Sequence, residues 1–283
     1  MIIDIHAHTF PKPVADKVVD LIGRQKAGIL PFTDGTPEGL LESMKANGID
    51  YSVNLPVPTN EKQVVKLNRL AVETKEENFE KGIINFGGMD PSFEDFRPIL
   101  KDLASHGIRG VKIHPAFSGI FIDDIRYKRI IDYASELGLA ILVHAGIELT
   151  TYRTNYAPVE KILEIVEEVR PEVFILAHMG NLGVWDQVEK YLCGAPVWLD
   201  TSYSLGKVAL HPQGLTLPCI SEKMGPDQFV RIVKKHGADR ILFGSDSPWG
   251  GQEEELRLMR SLDLPGDDLD KILGDNARQL LGI

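Results

Sequence analysis

The chain has little of what would staple it, anchor it or charge it for a polyanionic partner. Its 283 residues include two cysteines, Cys193 and Cys219. Two cysteines make no disulfide framework, and neither has a partner at C-x-x-C spacing, so both read as inert thiols. No apolar run approaches the ~20 residues that cross a bilayer. The N-terminus enters a strand at once, without a basic-then-apolar leader. Basic residues number 31 against 41 acidic ones, a net charge of −10. That balance supplies neither phosphate contacts nor polybasic docking, which argues against nucleic acid and membrane as partners. The acidity is spread thinly, with short runs only at Glu76-Glu77 and Glu253-Glu254-Glu255, and mainly supports solubility. There is no linker, no low-complexity stretch and no G-x-G-x-x-G or P-loop glycine pattern. A soluble, cytoplasmic protein is the expectation.

What is present is a repeated beat of strands and helices. Apolar, strand-length runs fall at 2–6, 51–55, 82–86, 110–114, 140–144, 173–178, 197–201 and 241–246. Helical periodicity fills the gaps; Val64, Leu67, Leu70 and Ala71 share one apolar face. Candidate N-caps are Thr36 before Pro37, Asp90 before Pro91, and Ser221 or Pro226 in the last third. Four joints of one kind recur at Gly48, Gly107, Gly138 and Gly237, where glycine can end a helix before the next strand. Eight strands separated by helices predict an α/β fold with a parallel sheet closed as a (β/α)₈ TIM barrel, one domain over 1–283. An open doubly wound sheet is the competing arrangement. Longer loops at 28–39 and 202–225 belong on the barrel rim, the second as a candidate lid.

The histidines fall where such a barrel does its chemistry. Ile2, Ile3 and Ile5 mark an extended strand, and residues two apart on a strand point the same way. His6 and His8 therefore present two imidazoles to one side. His114, His144 and His178 end the fourth, fifth and sixth strands, and Asp246 ends the eighth, all on the rim from which barrel active sites are built. Taken singly, each histidine could be a hydrogen-bonded core residue and Asp246 a helix cap. Five imidazoles converging on one rim would be desolvated without return unless a cation or substrate engaged them. Three imidazoles and a carboxylate with open positions suit one divalent ion. Zinc is favoured, with manganese, iron, cobalt and nickel compatible with the same ligand types. His106 and His236 sit in last helical turns, where carbonyls and the helix dipole account for them. His211 lies in the long rim loop and is left open. Lys112 and His114 share parity on the fourth strand, so both face inward, with His114 nearer the mouth.

The motifs together resemble the amidohydrolase superfamily, in the branch of mononuclear-metal enzymes related to amino-carboxymuconate-semialdehyde decarboxylase. The matching pieces are Asp4-Ile5-His6-Ala7-His8, Gly110-Val111-Lys112-Ile113-His114-Pro115, Val143-His144-Ala145-Gly146, Ala177-His178-Met179-Gly180 and Phe243-Gly244-Ser245-Asp246-Ser247-Pro248. Asp275-Asn276-Ala277-Arg278-Gln279-Leu280-Leu281-Gly282 is similar to the closing helix. The resemblance implies His6, His8, His144 and Asp246 as metal ligands. It implies His178 as a catalytic imidazole, although other branches use its counterpart as a ligand. Relatives with two metals carry a bridging carboxylated lysine or a glutamate on the fourth strand. No glutamate ends that strand here, so one ion is expected.

The chemistry expected of these residues is proton transfer beside a polarised oxygen. Asp246 would take the proton of a water whose pKa a divalent cation lowers from about 15.7 to about 7, and His178 would polarise a carbonyl. Hydrolysis of a small-molecule amide, lactone or ester is the leading expectation, because family members ending this strand in Lys-Ile-His-Pro are broadly described as hydrolases. Non-oxidative decarboxylation, or hydration, of an unsaturated carboxylic acid is the alternative. Candidate substrate contacts are His114, Lys112, Asn54, Arg153 and Trp249; Arg153 could grip a carboxylate bidentately, or be a solvated loop residue. A non-catalytic, metal-stabilised barrel is the competing class, disfavoured because structural zinc sites normally close all four positions. A small molecule is the expected partner, with a homo-oligomer left open.

Overall fold

Nine short parallel strands alternate with helices in a computed structural model, which describes residues 1–150, 154–220 and 222–283. They are β1 (Ile3–Ala7), β2 (Tyr51–Asn54), β3 (Ile83–Asn85), β4 (Gly87–Met89), β5 (Gly110–Ile113), β6 (Ala140–Val143), β7 (Phe174–Leu176), β8 (Trp198–Asp200) and β9 (Ile241–Leu242). Sequential neighbours pair in the runs β1-β2-β3 and β4 through β9. β3 and β4 flank Phe86 and form one interrupted stave, so the staves number eight. The ring closes through the backbone: Ile5 N–H donates to Phe243 O (2.8 Å) and Asp246 N–H to His6 O (2.7 Å). The protein is a parallel TIM barrel, as the strand count predicts.

Period-two alternation fixes which side chains enter the barrel. In β6, Ala140 and Leu142 join Ile3, Ile5, Val53 and Phe86 in the interior cluster. Ile141 and Val143 pack outward with Val111 and Ile113 of β5. Both faces are buried, which is why these strands read as unbroken apolar runs. Lys112 lies between Val111 and Ile113 and so points inward, as its parity predicts.

The helices also follow local chemistry. Thr36 Oγ1 accepts from Gly39 N–H (3.0 Å) and opens Pro37–Asn47. Gly48, Gly107, Gly138 and Gly237 all take positive φ, the backbone region that the four joints require. Asp90 does not cap a helix. The next helix begins at Phe96, and the Asp90 carboxylate accepts from Ser92 N–H (2.9 Å) and Ser118 Oγ (2.7 Å), tying the loops after β4 and β5 together. The later helix spans Pro226–His236, with Pro226 in its first turn; Ser221 lies outside the described residues. In helix Glu61–Glu73, Val64 and Ala71 enter the core, whereas Leu67 and Leu70 line the cavity at the barrel mouth. Rim loops 28–39 and 202–225 pair through Leu30 N–H to Ala209 O (2.8 Å). His106 Nδ1 contacts Asp102 O (2.9 Å) and His236 Nε2 contacts Val197 O (3.0 Å), which accounts for both structurally. No described helix is long and apolar enough to cross a membrane.

Candidate active site and metal centre

Strand parity sends His6 and His8 to the same side, and their hydrogen bonds determine which nitrogen each presents. His6 Nδ1 lies 2.8 Å from Asp200 Oδ2, and Asp200, the last residue of β8, is fully buried. A carboxylate only accepts, so the imidazole proton sits on Nδ1 and Nε2 carries a lone pair. His8 Nδ1 lies 2.7 Å from the Leu55 carbonyl, with the same consequence. Two bare Nε2 atoms then face each other at 3.2 Å. Asp246 Oδ1 stands 3.4 Å from the first and 3.2 Å from the second. Three electron-pair donors packed this closely repel one another, and their spacing is that of ligands around one ion with bonds of about 2.0–2.2 Å. The residues therefore fit a divalent cation held by His6, His8 and Asp246.

The surrounding charges act on the same three groups. Burial holds the His6 imidazole well below its ordinary range, reinforced by the positive charge of Lys112. For Asp246, burial raises the carboxyl, but its closeness to the His8, His6 and His178 imidazoles outweighs that and holds it below the carboxylate range. Lys112 is 1% exposed, with Nζ 3.2 Å from His6 Nε2. Burial pushes this lysine down to about 8, against the pull of Asp200, Asp246 and Glu148.

The five rim imidazoles form a continuous arc. Ring centroids are 5.1 Å apart for His8 and His6, 5.3 Å for His6 and His178, 4.9 Å for His178 and His144, and 4.1 Å for His144 and His114. His178 donates its backbone N–H to Asp200 Oδ1 (3.0 Å), and its Nδ1 lies 3.0 Å from Ser202 O. Asp200 thus holds both His6 and His178. With the His178 proton on Nδ1, His178 Nε2 accepts from His144 Nδ1–H (3.1 Å). His178 and Asp246 both lie at left-handed φ, +61° and +65°, a strained backbone for non-glycine residues that swings each side chain off its strand line. This is why the regular strands stop before these residues.

His6, His8 and Asp246 come together as one cluster, with Lys112 against it. His144 stands further along the arc, grouped with His114 and Glu148. Trp249 lines the cavity, as do His114, His178 and Lys112. Asn54 is not in the cavity wall; its Oδ1 accepts from Thr9 N–H (2.9 Å) and fixes the loop after β1. His211 Nδ1 accepts from Gln213 N–H (3.0 Å), also outside the wall. Arg153 lies outside the described residues. Sequence reasoning missed Asp200, Glu148 and the support role of Asp4. Asp4 accepts from His6 N–H (3.1 Å), Ser245 Oγ (2.6 Å) and Gln252 Nε2 (2.7 Å), and burial pushes its carboxyl up to about 6. The signals were an acid at the tip of the seventh stave, next to the stave that leads to Asp246, and an acid four residues beyond His144.

Above these groups opens a cavity of about 690 Å³, large enough for a small organic substrate. The imidazoles, Lys112 and Asp246 gather at its floor, and Thr9, Lys26, Thr59, Gln63 and Lys66 add polar groups elsewhere on its lining. Much of its wall is apolar, including Leu21, Ile22, Leu55, Val57, Leu67 and Trp249.

A family profile described as amidohydrolase matches residues 3–283. The chain belongs to the amidohydrolase family. No curated protein matches it in sequence. Among solved structures, a 2,6-dihydroxybenzoate decarboxylase bound to 2,6-dihydroxybenzoate is similar at TM-score 0.72 and 14% identity, over 100% of this chain and 99% of that one. The 5-carboxyvanillate decarboxylase of Sphingomonas paucimobilis is similar at TM-score 0.70 and 14% identity, with the same coverage. A dihydroxybenzoic acid decarboxylase from Polaromonas sp. JS666, with manganese and 2-nitroresorcinol bound, is similar at TM-score 0.67 and 14% identity, over 99% and 96% of the chains. At such identities the shared property is the barrel.

Proposed function

We propose that the protein is a metal-dependent, non-oxidative decarboxylase of a small aromatic or unsaturated carboxylic acid, the alternative reading of the sequence rather than hydrolysis. The observation that carries this is the division of the cavity: apolar walls suited to a flat ring, over a floor where His6, His8, Asp246, His178 and Lys112 converge. Such a floor suits a carboxylate and an adjacent oxygen, and the walls suit the carbon skeleton. Support comes also from the solved barrels named above, three decarboxylases of aromatic acids.

His6, His8 and Asp246 would hold the ion, with zinc first by donor type and manganese supported by the Polaromonas structure. When bound, the cation supplies a Lewis acid that neutralises and orients the substrate oxygens. The remaining work is proton traffic by the chain's own residues. The ring carbon bearing the carboxylate must gain a proton as its bond to that carboxylate breaks. The electron pair of that bond returns to the ring, and carbon dioxide leaves. Asp246, whose Oδ1 stands 3.4 Å from His6 Nε2 and 3.2 Å from His8 Nε2, would carry the proton from a substrate hydroxyl or water to that carbon. His178, fixed by Asp200 and Ser202, orients the substrate from the opposite side of His6. Lys112 supplies a positive charge beneath the carboxylate. The apolar walls exclude bulk water, which strengthens each of these interactions.

The test is a panel of hydroxybenzoates and unsaturated carboxylic acids against protein loaded with Zn²⁺ or Mn²⁺, in D₂O. Expected are carbon dioxide release and one deuterium at the carbon that lost the carboxylate. Turnover of lactones, esters or amides, with every acid inert, would restore the hydrolytic reading.

A further inference from the structure

The apolar lining of the cavity is concentrated in the segments that follow β1 and β2. Between those strands the chain makes two helical stretches, Lys12–Val19 continuing through Asp20–Ala27, and then Pro37–Asn47. A barrel unit needs one helix per strand, so the first stretch is an addition at the rim. Val14, Val18, Leu21 and Ile22 line the cavity from it, at the one-turn spacings that put side chains on a common face. Helix Glu61–Glu73, after β2, adds Leu67 and Leu70. Leu55, whose carbonyl contacts His8 Nδ1 at 2.7 Å, joins this aliphatic arm to the floor. Val14 and Leu21 are each 43% exposed and Leu70 is 37% exposed. A single exposed apolar side chain needs no explanation. Three that line one concavity, continuous with a polar floor, keep apolar surface in water that a ligand would cover.

We infer that this arm receives an aliphatic chain, so that the substrate is an alkyl-substituted aromatic or unsaturated acid; the acid head group itself rests on the reading proposed above. Size argues for the chain. The cavity's 690 Å³ lies within the range of about 300–1,000 Å³ that encloses drug-sized ligands, and an acid of one bare ring is far smaller. Side-chain type argues for a chain over a second ring. Phe10 is the one described aromatic residue lining this side. Phe117, which stacks on His114 at 3.9 Å, and Tyr203 and Trp249 come instead from the loops after β5, β8 and β9. The polar groups here suit the same occupant. Thr59 Oγ1 donates to Gln63 Oε1 (3.0 Å), which engages both side chains with each other. Lys26 and Lys66 are exposed, so their methylenes can lie along a chain while the ammonium groups stay in water.

The chain and the reaction can fail separately, because binding reads the first and turnover the second. Metal-loaded, full-length protein is titrated calorimetrically with 2-hydroxybenzoates bearing n-alkyl chains of one, three, five or seven carbons at each ring position, and the same acids are assayed for carbon dioxide release. At the position that aims the chain into the arm, affinity should rise about threefold to fourfold per added methylene. In Leu21→Asn and Leu70→Asn, both at exposed positions and verified as folded by circular dichroism, the gain should drop below about twofold per methylene, because the polar amide loses solvent to the chain. Affinity that climbs with chain length and flattens in both variants, with every acid inert, would uphold the chain site and sink the decarboxylase reading. Turnover of the short acids, with affinity independent of chain length at every position, would overturn the inference and leave the reaction standing. A chain-length gain undiminished in both variants would overturn it too, since the chain would then lie elsewhere. Hydroxynaphthoates binding more tightly than every alkyl member would overturn it in favour of a second ring.

Discussion

The Lys112 ammonium stands 3.2 Å from His6 Nε2, the atom that His6 offers to a cation. This is an opposition built into the site: the lysine satisfies the lone pair when no ion is there and repels an ion that arrives. Replacing it with an uncharged side chain of similar length separates these effects. Lys112→Met should bind Zn²⁺ or Mn²⁺ about tenfold more tightly at neutral pH, because a charge at this range is worth a kcal/mol or more. The same variant should raise KM for a carboxylate substrate, having lost the positive charge beneath it. Calorimetry of metal binding, beside steady-state kinetics, reads both. Weaker metal binding would instead make Lys112 a supporter of the ion.

Asp246 and His178 should fail differently. In Asp246→Asn the amide oxygen can still face the ion, but it cannot carry a proton. Turnover should fall by about 10³ while part of the metal remains. His178→Asn should keep metal near the wild-type level and lose about 10² in turnover. Single-turnover kinetics on metal-analysed protein separates the cases. Asp246→Asn turning over within tenfold of wild type would move proton transfer to another group.

A pH effect is expected away from the ion. Glu255 is 2% exposed and pairs with Lys223 Nζ at 3.2 Å, which itself lies 3.7 Å from the Tyr203 ring centroid in the cavity wall. Burial raises the Glu255 carboxyl from 4.5 to about 7, against the pull of Lys223. The folded state therefore binds this proton more tightly than the unfolded chain does. Its stabilising contribution is complete below the unfolded pKa and lost as pH rises through about 7. Glu255→Gln keeps an acceptor for Lys223 and removes the titration. Between pH 5 and pH 8, wild type should lose on the order of 2 kcal/mol relative to the variant. Denaturant unfolding at the two pH values measures this; parallel changes in both proteins would refute it.

Gly146, two residues beyond His144, holds the loop that carries Glu148. Its φ is +104°, and a Cβ there would lie 2.1 Å from Leu182 N. The flanking bonds, Leu182 N–H to Ala145 O (2.9 Å) and Ile147 N–H to Leu182 O (3.0 Å), leave no slack. Gly146→Ala should cost about 2–4 kcal/mol of stability through backbone strain and overpacking. It should also displace Glu148 from the two imidazoles. A thermal melt within a degree or two of wild type would show that the loop relaxes freely.

These relationships differ in how far they were written in the chain. Local alternation determined that Lys112 and His114 share a face, that His6 and His8 point together, and that four glycine joints punctuate the barrel. Each follows from backbone geometry within a few residues. The expected helix cap at Asp90 failed because its carboxylate was drawn to Ser118, 28 residues away, and Asn54 left the substrate wall for the Thr9 amide. The helical face expected at Val64, Leu67, Leu70 and Ala71 divided between core and cavity, since periodicity says which residues align but not what they align against.

The sequence by itself determined the barrel, its closing order and the rim that bears the histidines, because strand direction and helix termination are short-range properties. Only the tertiary structure decided which imidazole faces which acid. Asp200 reaches His6 across 194 residues and Ser245 reaches Asp4 across 241, pairings that exist only once the ring has closed. At the decisive residues the chain has also left regular strand geometry, with His178 and Asp246 at left-handed φ. Past that point side-chain direction no longer follows from parity; packing sets it.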